Sequence, residues 1–213
     1  MTRPSRLEAV LFDFDGTLCN TEVENLKLVQ GILRQMGADV SMGELEVLTG
    51  GEDRVTVPAI LERHHARGTI DDYERMRDGC YLTYSQAPLK LEPGALELLD
   101  GLRGRGVKLG LVSMTVSRCI LTALARLGIA DRFDAIVCGD MVERRKPSPD
   151  PYLRAAELLG VDAEKCVAVE DSPTGISSAR AAGCHVVAYT GCDIVQDVSA
   201  ADEVISSFVG FEL

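Results

Sequence analysis

Apolar residues run almost unbroken through Glu8-Ala9-Val10-Leu11-Phe12-Asp13-Phe14, the pattern of a strand buried on both faces. Similar short runs recur at Val107–Ser113, Ala135–Cys138, Cys166–Val169 and His185–Tyr189. Between them, apolar positions three to four apart predict helices over Gly94–Arg105, Val116–Leu127, Ser148–Leu159 and Pro173–Ala182. Strand alternates with helix, which predicts right-handed crossovers and an α/β fold with a doubly wound parallel sheet. From about Thr21 to Pro88 the alternation stops. Glu22–Met36, Arg54–Arg67 and Ile70–Ser85 carry the helical pattern with no strand between them. The expected organisation is a catalytic core of residues 1–20 and 89–213 and an α-helical cap of residues 21–88, inserted after the first strand. Open α/β sheets bind ligands beyond the carboxyl ends of their strands, and the insert leaves the chain there.

The 213 residues are 46% hydrophobic and 26% charged, enough apolar surface for a sizeable core. Twenty-two basic and 33 acidic side chains leave a net charge of −11, which disfavours nucleic acid as a partner because non-specific affinity comes from Lys and Arg on phosphates. No apolar run approaches a membrane span, and Ala9–Phe12 is too short for a signal-peptide core. Seven dispersed cysteines with no C-x-x-C pair predict reduced thiols in a cytoplasmic protein rather than a zinc knuckle or a redox motif.

Two carboxylate pairs stand out because each closes a predicted strand. Asp13-Phe14-Asp15-Gly16-Thr17 follows the first strand, and residues two apart on an extended chain point to one side. The same string also makes an ordinary turn. An EF-hand loop does not fit, since Leu18 occupies the position that requires glycine and a strand precedes the motif. Glu170-Asp171 closes the strand at Cys166–Val169, and Ser172, Pro173 and Gly175 then open a helix with Ser172 as its expected N-cap. Parallel strands bring their ends to one rim. Four carboxylates gathered there repel unless a cation bridges them, and oxygen donors without His or thiolate point to Mg²⁺. Lys146-Pro147, in the loop after Ala135–Cys138, offers the opposite charge. Pro147 biases Lys146 towards an extended conformation and is expected to begin the next helical turn. Arg144 and Arg145 beside it read as a solvated basic loop, and Ser113 closes the second strand.

The order D-x-D-G-T, strand-Ser, K-P, strand-E-D resembles the haloacid dehalogenase-like hydrolase superfamily, in the subgroup with a helical cap and a Rossmann-like core. The resemblance covers Leu7 to about Tyr189. It implies Asp13 as a nucleophile that forms an aspartyl-phosphate and Asp15 as general acid and then base. It implies Mg²⁺ held by Asp13, the Asp15 carbonyl and Asp171, with Glu170 as ligand or just behind. Ser113 and Lys146 would hold the phosphoryl oxygens. The implied activity is a Mg²⁺-dependent phosphatase acting on a small phosphorylated metabolite, most simply a sugar phosphate. The β-phosphoglucomutase pattern has a histidine where Asn25 aligns, which favours hydrolysis over phosphoryl transfer within a hexose phosphate. A non-enzymatic receiver-type module explains neither the helical insert nor Asp15.

Thr21-Glu22 matches the entry to the cap in this subgroup, and Met114 replaces a small polar residue common after the motif serine. Arg54, in the loop Thr49-Gly50-Gly51-Glu52-Asp53-Arg54, is the candidate for a substrate contact from the cap, with a surface position equally compatible with the pattern. His64 and His65 are neighbours on a helix and cannot ligate one metal together. Gly101-Leu102-Arg103-Gly104-Arg105-Gly106 has the composition of a dinucleotide fingerprint but ends a helix before a strand, so it is a helix stop.

Overall fold

The computed structural model describes residues 2–45, 53–77, 81–193 and 196–213. The chain divides into two compact units: residues 1–20 with 89–213, and residues 21–88.

The first unit is built on β1 (Ala9–Phe12). All four of its residues are fully buried, as the unbroken apolar run requires. After the helical unit the chain returns through α6 (Ala95–Gly104), β2 (Lys108–Val112), α7 (Ser117–Leu127), β3 (Ala135–Val137), α8 (Asp150–Leu159), β4 (Cys166–Glu170), α9 (Pro173–Ala182), β5 (His185–Tyr189) and β6 (Glu203–Ile205). Strand order is β3-β2-β1-β4-β5-β6, and every pairing is parallel. The fold is therefore a Rossmann-like α/β sheet. From β1 the chain builds outward to β2 and β3, then crosses to β4 on the other side, so β1 and β4 flank the point where strand order reverses.

Alternating residues of each strand serve opposite faces. Ala9, Leu11, Val112, Ala168 and Val186 share one core with Tyr152, Ala155 and Leu159 of α8 and Ile176 and Ala179 of α9. Val10 and Phe12 point to the other face, and α6 packs against β2. Ser172 caps α9 as expected, its Oγ accepting the Gly175 amide at 3.1 Å. Gly106, at φ 76°, carries the turn after α6, the helix stop expected from the sequence.

Several details differ from the sequence pattern. α8 begins at Asp150, three residues beyond Pro147, because Ser148 and Pro149 complete a turn first. β6 was not visible in the sequence because a three-residue edge strand with exposed Val204 has no apolar run to mark it. The Ile70–Ser85 pattern contains α4 (Ile70–Arg77) and α5 (Tyr81–Gln86), with 78–80 outside the described residues.

The helical unit also holds α1 (Glu22–Gln35), α2 (Met42–Leu45) and α3 (Asp53–Arg63). The one-turn α2 is too short to leave a periodic signal. Leu26, Val29, Ile32 and Leu33 bury one stripe of α1, and Val57, Ile60, Leu61 and Tyr73 are buried on α3 and α4.

Gly94 starts α6 with φ 84°, and a Cβ there would lie 2.6 Å from the Phe208 backbone. Left-handed strain and a backbone clash act together, so Gly94→Ala is expected to cost about 2 kcal/mol. Urea unfolding with an unchanged m-value measures it; an equal or higher midpoint would refute the packing described.

Candidate active site

Ladder bonds extend β1 and β2 by one residue each: the Asp13 amide donates to the Val169 carbonyl at 2.9 Å and the Ser113 amide to Val137 at 3.0 Å. Asp13, Ser113 and the Glu170-Asp171 pair therefore sit on the carboxyl rim of β1, β2 and β4, and Lys146 reaches the same rim from the loop after β3. All five are buried or nearly so. Oxygen atoms of Asp13, Glu170 and Asp171 lie within 4.8 Å of one another.

Lys146 binds this cluster together. Its ammonium donates to Asp13 Oδ1 at 2.6 Å, Glu170 Oε1 at 2.5 Å and the Val112 carbonyl at 2.8 Å, which engages all three hydrogens. Burial opposes its charge, but Asp13 and Glu170 outweigh that and hold Lys146 above its ordinary value. Three carboxylates face one ammonium, a local imbalance of two negative charges. Burial pushes Asp13 well above the usual carboxylate range, helped by Glu170, Asp171 and Asp15 and opposed by Lys146. Burial and then Glu170 push Asp171 up to about 7, although Thr17 Oγ1 donates to its Oδ1 at 3.1 Å. A further cation would offset the repulsion among these carboxylates.

Glu170 is the most heavily bonded member. Its Oε1 accepts from Lys146 and from the Tyr152 hydroxyl at 2.7 Å. Its Oε2 accepts from the Asp171 amide, the Ser172 amide and the Ser172 hydroxyl. Burial and the Glu170 charge push the Tyr152 phenol well up, so it stays a donor. A Cβ on Gly175 would collide with this carboxylate, which is why the α9 start must be glycine there. Asp15 lies beside the cluster, its Oδ2 accepting from Ser113 at 3.1 Å and Thr115 at 2.9 Å.

Arg54 belongs to the helical unit, where its guanidinium lies 2.5 Å from Glu74 and 3.7 Å from Asp71. Its charge is thus met by two carboxylates; residues 49–52 of its loop lie outside the described residues. Arg144 pairs with Asp150, while Arg145 donates to the Met114 carbonyl and so braces the site rather than lying free. His64 contacts Glu44. Burial pushes the Cys19 and Cys138 thiols up to about 12. Cys80 lies outside the described residues. Tyr152, Thr115 and Thr17 were not singled out by the sequence. Only Thr17 carried a signal, as the last residue of D-x-D-G-T.

An acidic rim with one buried lysine lies at the switch point of a parallel sheet, the place where α/β enzymes bind their ligands. The family model for haloacid dehalogenase-like hydrolases matches residues 10–189, and the chain belongs to that family. It is 32% identical over 178 residues to a phosphorylated carbohydrates phosphatase of Thermotoga maritima, covering 83% of this chain and 82% of the relative. It is 33% identical over 198 residues to a phosphoglycolate phosphatase of Neisseria meningitidis, covering 86% and 80%. Its fold matches the crystal structure of CbbY from Rhodobacter sphaeroides in complex with phosphate, with TM-score 0.77, 26% identity and 95% of both chains covered. The chain is a phosphoric monoester hydrolase. Among the described residues, no helix is long and apolar enough to cross a membrane.

The raised Asp171 group has a stability consequence. A carboxyl lifted from 3.8 to about 7 adds stability that is complete below about pH 4 and lost as pH rises through 7. In EDTA, Asp171→Asn is therefore expected to melt above wild type at about pH 8 and level with it at about pH 4. A melting difference that does not change with pH would contradict this.

Proposed function

We propose that the chain is a Mg²⁺-dependent phosphatase that hydrolyses a small phosphorylated metabolite, a sugar phosphate, through an aspartyl-phosphate on Asp13. The observation that carries this reading is Asp13 itself: a buried carboxylate held by Lys146 among further carboxylates, on the rim where such sheets bind ligands. The family's phosphatase relatives support the substrate class, one being named for phosphorylated carbohydrates.

The donor set suits Mg²⁺. It is all oxygen, it lacks two positive charges, and Gly16 leaves room against Asp171 that a Cβ would fill. Asp13 and Asp171, with the Asp15 backbone carbonyl, would hold the ion. Glu170, its two oxygens already accepting from five donors, anchors Lys146 from behind. When bound, Mg²⁺ supplies the missing charge and polarises a phosphoryl oxygen.

Asp13 attacks phosphorus, and the ester oxygen departs with a proton from Asp15. Asp15 then takes a proton from water, which attacks the phosphorus and returns Asp13 as a carboxylate. Lys146 acts through its charge, offsetting the anion that develops on the phosphoryl group while keeping Asp13 aligned. Ser113 closes β2 on the same rim, its hydroxyl donating to Asp15 Oδ2 at 3.1 Å. Residues 21–88 are proposed as the cap domain that chooses among phosphate esters. Arg54, whose guanidinium meets Glu74 and Asp71 within that unit, stays the candidate for a substrate contact from the cap.

Phosphate release from a panel of sugar phosphates is the direct test. Asp13→Asn is expected to lose at least about 10³-fold and Asp15→Ala about 10²-fold on alkyl phosphates, with the fold retained. EDTA is expected to abolish activity and added Mg²⁺ to restore it. Full activity in Asp13→Asn would end the proposal, and isomer formation without phosphate release would turn it to a mutase.

A further inference from the structure

Asp15 lies against two hydroxyls that follow β2. Ser113 Oγ and Thr115 Oγ1 both donate to its Oδ2, at 3.1 and 2.9 Å. The Thr115 amide donates to Ser113 Oγ at 3.0 Å, which turns the single hydroxyl hydrogen of Ser113 towards Asp15. The segment that presents these hydroxyls is itself tied to the β3 outlet. Thr115's carbonyl accepts the Gly139 amide at 3.1 Å, and Met114's carbonyl accepts Arg145 Nη2 at 2.6 Å. The Lys146 amide reaches Met114 Sδ at 3.4 Å.

We propose that Thr115 is a positioning residue for the general acid: with Ser113, its hydroxyl holds Asp15 Oδ2 and stabilises the carboxylate left when Asp15 gives up its proton. This rests on the phosphatase reading above. As the bond from Asp13 to phosphorus forms, the bond from phosphorus to the ester oxygen breaks and its electron pair stays on that oxygen. The oxygen takes the Asp15 proton, and Asp15 becomes an anion with two hydroxyl donors on one oxygen. Hydrogen bonds to an ionised group are about twice as strong as neutral ones, so the Thr115 bond strengthens as the leaving group departs. An interaction that tightens only then lowers the barrier rather than aiding substrate binding.

The consequence depends on the leaving group. An alkoxide is a strong base and needs the proton; p-nitrophenolate is a weak base and leaves without it. The experiment compares kcat/KM on the best alkyl phosphate of the sugar-phosphate panel with kcat/KM on p-nitrophenyl phosphate, in wild type, Thr115→Val and Thr115→Ser. Thr115→Val is expected to lose about tenfold on the alkyl ester and less than about twofold on the aryl ester. Thr115→Ser, which keeps the hydroxyl, is expected to recover most of the alkyl activity. If the valine variant does not fold, Thr115→Ala is read in its place. Equal losses on both esters would make Thr115 merely structural and overturn the proposal, as would no loss on either. Wild type that releases phosphate from neither ester would instead bring down the phosphatase reading, and this proposal with it.

Discussion

The ammonium of Lys146 is the interaction on which the site depends. It is nearly inaccessible to solvent, and so are Asp13 and Glu170, the two carboxylates it joins. A buried charge without a partner is one of the costliest features a fold can carry, and removing one member of such a pair leaves the other exposed to that full penalty. Lys146 is fixed from three sides, by β1, β2 and β4, through Asp13, the Val112 carbonyl and Glu170. Its side chain therefore also ties the rim of three neighbouring strands together. Tyr152 completes the arrangement from α8, donating to Glu170 while its ring lies 5.3 Å from the ammonium. A cation over an aromatic face gains attraction where water is excluded.

The glycines of the site follow from these carboxylates. Gly175 opens α9, and a Cβ there would occupy the space of the Glu170 carboxylate; Gly16 stands in the same relation to Asp171. Gly16 also has φ 82°, so its turn calls for glycine twice over. The charges and the small residues beside them are one packing solution, with each carboxylate kept close by a neighbour that has no side chain.

Much of this was legible in the chain because strand ends are legible. Once the apolar runs within Glu8–Phe14, Val107–Ser113 and Cys166–Val169 are read as parallel strands, Asp13, Ser113 and Asp171 must share a rim. What escaped the sequence is the set of side chains whose role depends on a distant partner. Tyr152 lies on the apolar face of α8 and reads as core, yet its hydroxyl meets Glu170, 18 residues on. Thr115 reads as a lead-in to α7, and its partner Asp15 is 100 residues away. Arg54 acquires partners that its own position does not announce. A basic residue at a helix start carries no mark of whether Asp71 and Glu74, a helix away, will balance it.

The net charge of −11 tells against a phosphorylated ligand only while charge is treated as a property of the whole surface. At the rim the balance is local, and the carboxylates differ in what remains available to them. The Glu170 oxygens meet five donors from Lys146, Tyr152, Asp171 and Ser172. Asp171 is held by the Thr17 hydroxyl and, more distantly, by Gln196, and burial lifts it towards neutrality. Two adjacent acids thus have opposite characters: one is saturated and anchors a lysine, and the other is strained by its own charge. An acid of the second kind gains most from a nearby positive charge, and a divalent ion held there, as proposed, would add the positive potential that a phosphate dianion requires. On the proposed phosphatase reading, the acidity of the rim would favour the anion indirectly, by drawing in the cation that meets it.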